Sequence, residues 1–364
     1  MFDIARWAED LAKPLFYDSG MALTSRQCLL LALAGISLLP SLQAGQIDSI
    51  YAFGDSLSDV GNIYAAGILG LIPGPPIPAA PYVNGQFSNG NVWVQDLASD
   101  LGLAPLMPSL LGGTDYAYGT GETGVTGFNT SNAITDLLGG TGQLSQFQMT
   151  HATADPNALY TIWIGSNDLS DMLANALPSQ YGADIGTVVG NIDTAVGMLA
   201  GMGGRNFLVV TVPDLGKTPD ALALGATASA GATEVSGLFD NALVSSLAPL
   251  AAGDSISISV LNTFALLDTI VADPSAYGFT NVTSPCYTGT YAGFADSADP
   301  GTECPTPDQY LFFDGEHPSA AGQALVADAA FSLVTPEPGS ISLMAAGLLG
   351  LVALRRRYCG TGNR

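Results

Sequence analysis

The sequence predicts an α/β fold: a mostly parallel sheet covered by helices on both faces. Two observations lead to it. Short β-type runs alternate with helix-type stretches through most of the chain, the pattern of a parallel sheet buried on both sides. The turns rich in Gly, Asp, Ser and Asn follow those runs, at the carboxyl ends of strands, where open α/β sheets collect their reactive groups.

Four runs carry the sheet: 46–53, 159–164, 206–212 and 255–261. Each is short and rich in β-branched or aromatic residues, as in Leu159-Tyr-Thr-Ile-Trp-Ile164. Helix-type stretches are expected at about 91–101, 185–201, 230–249 and 263–272, with a last Ala-rich helix from Ser319 to Leu333. Pro318 is placed to open that helix, since proline suits a first helical position. The stretch 66–90, rich in Pro, Gly and Asn, reads as a long surface loop that shapes a cleft.

The charge is lopsided, with 9 Lys+Arg against 32 Asp+Glu. Arg6, Lys13 and Arg26 lie near the start, and Arg355, Arg356, Arg357 and Arg364 near the end, which leaves Arg205 and Lys217 for the whole body. Such a body repels phosphate backbones and excludes nucleic acid as a partner. No regular metal-ligand spacing is present, so neither a metal nor an organic cofactor is expected.

The ends read as address labels. Arg26 precedes an apolar run from Cys28 to Leu42, and Leu42-Gln43-Ala44 offers a small residue at a cut, the pattern of a secretory signal peptide. Residues 1–44 are therefore read as leader, with Met21 as an alternative start, and 45–335 as the body. Export makes a disulfide the expected state of Cys286 and Cys304, the two cysteines of the body. At the other end, Pro336-Glu337-Pro338 precedes an apolar stretch, 340–354, and the arginines 355–357. That order resembles the PEP-CTERM sorting signal of Gram-negative bacteria. The resemblance implies transient membrane contact through 336–364, cleavage near the triplet by an exosortase-type enzyme, and release to the envelope or outside.

The body is organised around Phe53-Gly54-Asp55-Ser56-Leu57-Ser58-Asp59-Val60-Gly61-Asn62, which follows the first β-run. Ester cleavage by a hydroxyl needs a neutral histidine to take its proton and a carboxylate to fix the imidazole. Two histidines are present. His151 lies just before a Pro-Asn turn and reads as a surface loop residue. His317 stands in Asp314-Gly-Glu-His317-Pro318, a spacing that lets Asp314 reach Nδ1 on a tight turn while Nε2 points outward. Glu316 competes for that role but is expected to point to solvent.

These blocks together resemble the GDSL esterase/lipase family of SGNH hydrolases. The resemblance implies a three-layer α/β/α SGNH-hydrolase fold with a flavodoxin-like central sheet, Ser56 as nucleophile, and Asp314 and His317 as its partners. Gly165-Ser166-Asn167-Asp168 resembles the family's Gly-x-Asn-Asp block, which gives Asn167 a side-chain donor role in the oxyanion hole and leaves Asp168 to hold the loop. Gly113 to Gly124 resembles the Asn-Tyr-Ala-x-Gly-Gly-Ala run imperfectly: Asp115 replaces the usual Asn, and Thr120 stands where the second glycine falls. The backbone donor there is at Thr120, or at Gly119 or Gly121 after a small shift, beside the N–H of Ser56 itself. Gly253-Asp254-Ser255 repeats the tripeptide but precedes a strand, so it reads as a turn.

The implied function is an exported serine esterase or lipase acting on small-molecule or lipid esters. The alternatives are an exopolysaccharide acetylesterase, prompted by the sorting tail, and a catalytically weak surface-binding protein on the same fold, prompted by Thr120.

Overall fold

The computed structural model describes residues 47–124, 134–289 and 301–335, all within the unit Gln46–Arg364. The predicted leader 1–44 and tail 336–364, with Cys28 and Cys359, lie outside the described residues, as does Gln46 at the head of the first predicted strand.

Four strands form one parallel sheet in the order β1 (Ile50–Gly54), β2 (Leu159–Trp163), β3 (Asn206–Val210) and β4 (Ser257–Leu261). They match the four β-runs to within a few residues at each end. A fifth segment was not legible in the sequence. Thr114–Tyr118 runs along the free edge of β1, with Thr114 O accepting from Ala52 N and with Tyr116 N and Tyr118 N donating to Ala52 O and Gly54 O. Its bridge to Ala52 is parallel. Counted as an edge strand, it follows β1 in sequence but lies outside it, which gives the flavodoxin-like order 2-1-3-4-5.

Period-2 alternation along the strands splits the core into two layers. Phe53, Tyr160, Ile162, Phe207 and Val209 face one way. They are covered by α3 (Gln143–Thr150), α5 (Tyr181–Met202) and α7 (Ala226–Asp254). Ile185, Val188, Val189, Ile192, Val196 and Leu199 recur at helical spacing on the buried face of α5. Ala52, Leu159, Leu208 and Val210 face the other way, under α2 (Trp93–Asp100) and α9 (Ala320–Val334). The remaining helices are α1 (Asn62–Ile68), α4 (Ser166–Asn175), α6 (Pro219–Ala223) and α8 (Thr263–Ala272).

Several expectations need correction. Pro318 does not open α9: Ser319 is its N-cap and accepts from Gly322 N through Oγ at 3.3 Å. A serine hydroxyl satisfies one orphan N–H of the first turn, which proline cannot do. Gly253 and Asp254 are the last residues of α7, and Ser255 is its cap at φ 54°. His151 is no simple surface residue. It caps α3, stacks on Phe147 at 4.4 Å, and bonds Thr150 Oγ1 through Nδ1 at 2.9 Å.

The stretch 66–90 is not a surface loop throughout. It begins inside α1, and its later part buries Ile77, Tyr82 and Phe87. Tyr82 packs edge-on to Phe313 and Tyr287, which stack on each other. The same cluster contains Cys286, joined to Cys304 with Cα atoms 4.9 Å apart. Cys286 N and Tyr287 N donate to Phe312 O and Phe313 O, directly before Asp314. Removing the bridge by Cys286→Ser/Cys304→Ser should lower unfolding stability by about 3 kcal/mol, the chain-entropy value for a loop of this size. Denaturant titration of the double variant against the oxidised protein measures it, and an unchanged midpoint would refute a stabilising bridge.

Candidate active site

Residue 54, the last of β1, is a glycine against which the β2 backbone packs too closely for a side chain. A Cβ there would lie 2.4 Å from Trp163 O. Gln143 pins this glycine from α3, accepting from Gly54 N at 2.9 Å and donating to Gly54 O at 2.6 Å. Ser56 follows, 8% exposed. Asp59 then accepts from the N–H groups of Gly61, Asn62 and Ile63, so α1 is anchored by a carboxylate at its first turn.

Ser56 Oγ lies 2.7 Å from His317 Nε2, and His317 Nδ1 lies 2.7 Å from Asp314 Oδ2. All three residues are buried. The turn 314–317 closes on itself, with Asp314 Oδ1 accepting from Glu316 N at 2.9 Å and His317 N at 2.7 Å. Tyr82 donates its hydroxyl to Asp314 Oδ2, and Phe87 lies against the imidazole with ring centroids 5.1 Å apart. Neither contact was expected: Tyr82 stands in a segment whose composition carries no periodicity.

Burial alone would lift Asp314, but the His317 charge and the hydrogen bonds from His317 and Tyr82 hold it below the usual carboxylate range. Burial pulls His317 down, yet Asp314, with the further negative charges of Glu316 and Asp55, outweighs it and pushes His317 up to about 9. Glu316 does not turn away to solvent as expected. Its carboxylate comes within 3.7 Å of His317 Nε2, on the serine side of the ring, while staying partly exposed. It is thus placed to influence the imidazole charge without orienting Nδ1.

Asn167 sits in the first turn of α4, just beyond β2, and donates through Nδ2 to Gly121 O at 2.8 Å. That bond uses one of its two amide protons. Gly165 before it has φ 124°, where a Cβ would meet the Phe239 ring at 3.0 Å. Asp168 accepts from Thr123 N and Thr123 Oγ1, at 2.9 and 2.8 Å, and so holds the 121–124 loop. Gly119 N donates to Asp59 Oδ2, and Gly121 N to Tyr118 O. Of these three backbone donors, Thr120 N–H alone is uncommitted, and Thr120 adopts φ 63°. The threonine therefore takes the left-handed conformation that glycine adopts without strain.

Asp115 accounts for its own substitution. It accepts from Val60 N and Ala117 N, and Asn62 Nδ2 bridges to it at 3.2 Å. Burial and the charge of Asp59 push it well above the usual carboxylate range. Among the described residues no group of three His, Cys, Asp or Glu side chains is arranged to hold a metal ion.

A parallel α/β sheet with Ser, His and Asp hydrogen-bonded in line beyond the carboxyl end of β1 is an arrangement that serine hydrolases use. The chain belongs to the GDSL-like lipase/acylhydrolase family, whose model matches residues 50–330. Residues 334–357 match the PEP-CTERM protein-sorting motif, which implies export and membrane anchoring before processing. The chain is 27% identical to the thermolabile hemolysin of Vibrio parahaemolyticus, over 79% of this chain and 64% of that protein. It is 28% identical to a GDSL esterase/lipase of Arabidopsis thaliana, over 79% of this chain and 87% of that protein. It is likewise 28% identical to esterase EstA of Pseudomonas aeruginosa, covering 86% of this chain but 50% of that protein. The chain thus spans less than two thirds of the length of two of these relatives. Among solved structures, an acetylxylan esterase from Geobacillus stearothermophilus aligns with 80% of this chain and 97% of its own, at 12% identity and a TM-score of 0.40.

Proposed function

We propose that the chain is an exported serine esterase that hydrolyses carboxylic esters through an acyl-enzyme on Ser56. The observation that carries this reading is the unbroken hydrogen-bonded line from Ser56 Oγ through His317 to Asp314. Neutral His317 takes the serine proton as Oγ attacks the acyl carbonyl, and Asp314 stabilises the imidazolium. The oxyanion is met by the N–H groups of Ser56 and Thr120 and by the second amide proton of Asn167. The imidazolium returns its proton to the departing alcohol, and water releases the acyl group by the same route. The free Thr120 N–H also weighs against a catalytically silent binding protein, because the change from glycine leaves the backbone donor in place.

The PEP-CTERM motif at 334–357, with the apolar run after Arg26, supports processing as well. The body 45–335 would be freed by cuts near Ala44 and about residue 338, the second by an exosortase-type enzyme. A fluorophosphonate probe applied to medium, envelope and inner-membrane fractions of the native host tests both halves. One labelled species is expected outside the inner membrane, modified at Ser56, with an intact mass lacking the residues after about 338. Absence of labelling at Ser56 would sink the esterase reading. A mass that retains 340–357 in the inner membrane would make the protein a tail-anchored form.

The pH profile follows from the base. His317 must be neutral to accept a proton, and its raised value of about 9 means that kcat/KM climbs through the alkaline range. Glu316→Gln removes a negative charge beside Nε2 and should move that limb to lower pH. A wild-type limb already complete at pH 6.5 would contradict the assignment.

A further inference from the structure

Asp314 is held from outside its own turn. It accepts four hydrogen bonds, two at each carboxylate oxygen: Oδ1 from Glu316 N and His317 N, and Oδ2 from His317 Nδ1 and the Tyr82 hydroxyl. Among the described residues, Tyr82 alone donates to Asp314 from elsewhere in the chain. It shares the oxygen that faces the imidazole, so a change at this oxygen is felt at Nδ1.

Tyr82 is itself fixed. Its ring stands edge-on to Phe313 and Tyr287, with centroids 5.2 and 5.7 Å away. Val83 N donates to Ser88 O and Gln86 N to Val83 O, a tight turn that sets Tyr82 beside Phe87. The segment then follows the catalytic turn in step. Tyr82 meets Asp314, and Phe87 lies against the His317 ring. Ser88 Oγ donates to Pro318 O at 3.0 Å, and Asn89 Oδ1 accepts from Ala320 N at 2.8 Å. The stretch 82–89 is thus a brace along 314–320. A side chain locked by such packing holds its partner to a narrow geometry. A carboxylate that gains a hydrogen bond also becomes less basic, because the bond favours its charged form.

We propose that Tyr82 is a positioning residue for the catalytic acid: its hydroxyl aims Asp314 Oδ2 at His317 Nδ1 and draws off part of the charge that this oxygen presents to the imidazole. The proposal rests on the esterase reading and deepens it, because it makes the strength of the base depend on a residue that touches neither Ser56 nor the substrate.

Tyr82→Phe removes the hydroxyl and keeps the ring. Proton–nitrogen NMR of the two imidazoles, assigned with His151→Ala, follows the titration of His317 without substrate. With one donor fewer, Asp314 is more basic and the imidazolium more stable, so the titration should move up by roughly half a pH unit. The alkaline limb of kcat/KM should move with it. On the plateau kcat should fall about tenfold with KM little changed, because the acid is no longer aimed. The other titratable groups around the pair are Glu316, Asp55 just beyond β1, Asp220 of α6 against Gly315, and Tyr287 and Tyr310 of the aromatic cluster. The substitution alters none of them. Tyr287→Phe removes a hydroxyl from the same cluster and leaves the four bonds to Asp314, so it should change neither titration nor turnover.

Circular dichroism melts show whether each variant is folded. para-Aminophenylalanine in place of Tyr82 keeps a weaker donor at the same place and should move the titration part of the way, which decides the matter if Tyr82→Phe is unfolded. A titration that stays in place or moves down in the folded variant overturns the proposal, whatever happens to kcat. An upward shift together with ester hydrolysis by the wild type supports both readings. An upward shift with no ester hydrolysed by the wild type refutes the esterase reading and supports the coupling from Tyr82 to His317.

Discussion

On the proposed mechanism, Ser56→Ala should lower ester hydrolysis about 10⁶-fold, and His317→Ala should do the same, because nucleophile and base act as one unit. The double variant is expected to be no worse than either single one, since once the proton has nowhere to go the second loss removes nothing more. Asp314→Asn is expected to cost about 10⁴-fold, through an imidazole held in the wrong tautomer. Two controls follow from the geometry. Ser255 caps α7 at the edge of the sheet, and His151 stacks on Phe147 at the end of α3, so Ser255→Ala and His151→Ala should leave turnover near the wild-type rate. Steady-state kinetics on an activated ester, with each variant checked for folding, measures all six. Turnover by Ser56→Ala close to that of the wild type would remove the mechanism.

The parts of this site that were legible are those whose physics is local. Gly54-Asp55-Ser56 closes a β-run, and Asp314 and His317 reach each other within one turn. The alternation of strands and helices was equally readable, because period-2 and helical spacing are set by residues a few positions apart. What stayed hidden depends on distant partners. Tyr82 bonds Asp314 across 232 positions, and the segment around it is so rich in Pro, Gly and Asn that no periodicity signals burial. The edge segment Thr114–Tyr118 is held by backbone bonds to β1 and by the Asp59–Asn62–Asp115 network, not by a β-branched run. Glu316 was misplaced for a related reason. Adjacent side chains diverge on a regular turn, but residues 314–317 fold back so that both Glu316 and Asp314 approach the same ring, from opposite nitrogens.

Asn167→Ala should reduce kcat about 10²- to 10³-fold with little change in KM, because its second amide proton meets charge that develops only in the transition state. Part of the loss is expected to come through the loop, since Asn167 also holds Gly121 O at 2.8 Å. Asn167→Asp removes both contributions at once and adds a charge. A carboxylate there has no proton to give and adds repulsion toward the oxyanion, so it should be at least as damaging as alanine at alkaline pH. Thr120→Gly provides the opposite control. The N–H is kept and a threonine at φ 63° is relieved, so kcat should stay within a few-fold while stability rises by about 1 kcal/mol. Paired kinetic and denaturation measurements decide between the donors. If Asn167→Ala raises KM and spares kcat, Asn167 binds the ground state and the oxyanion is held by the two backbone N–H groups of Ser56 and Thr120 alone.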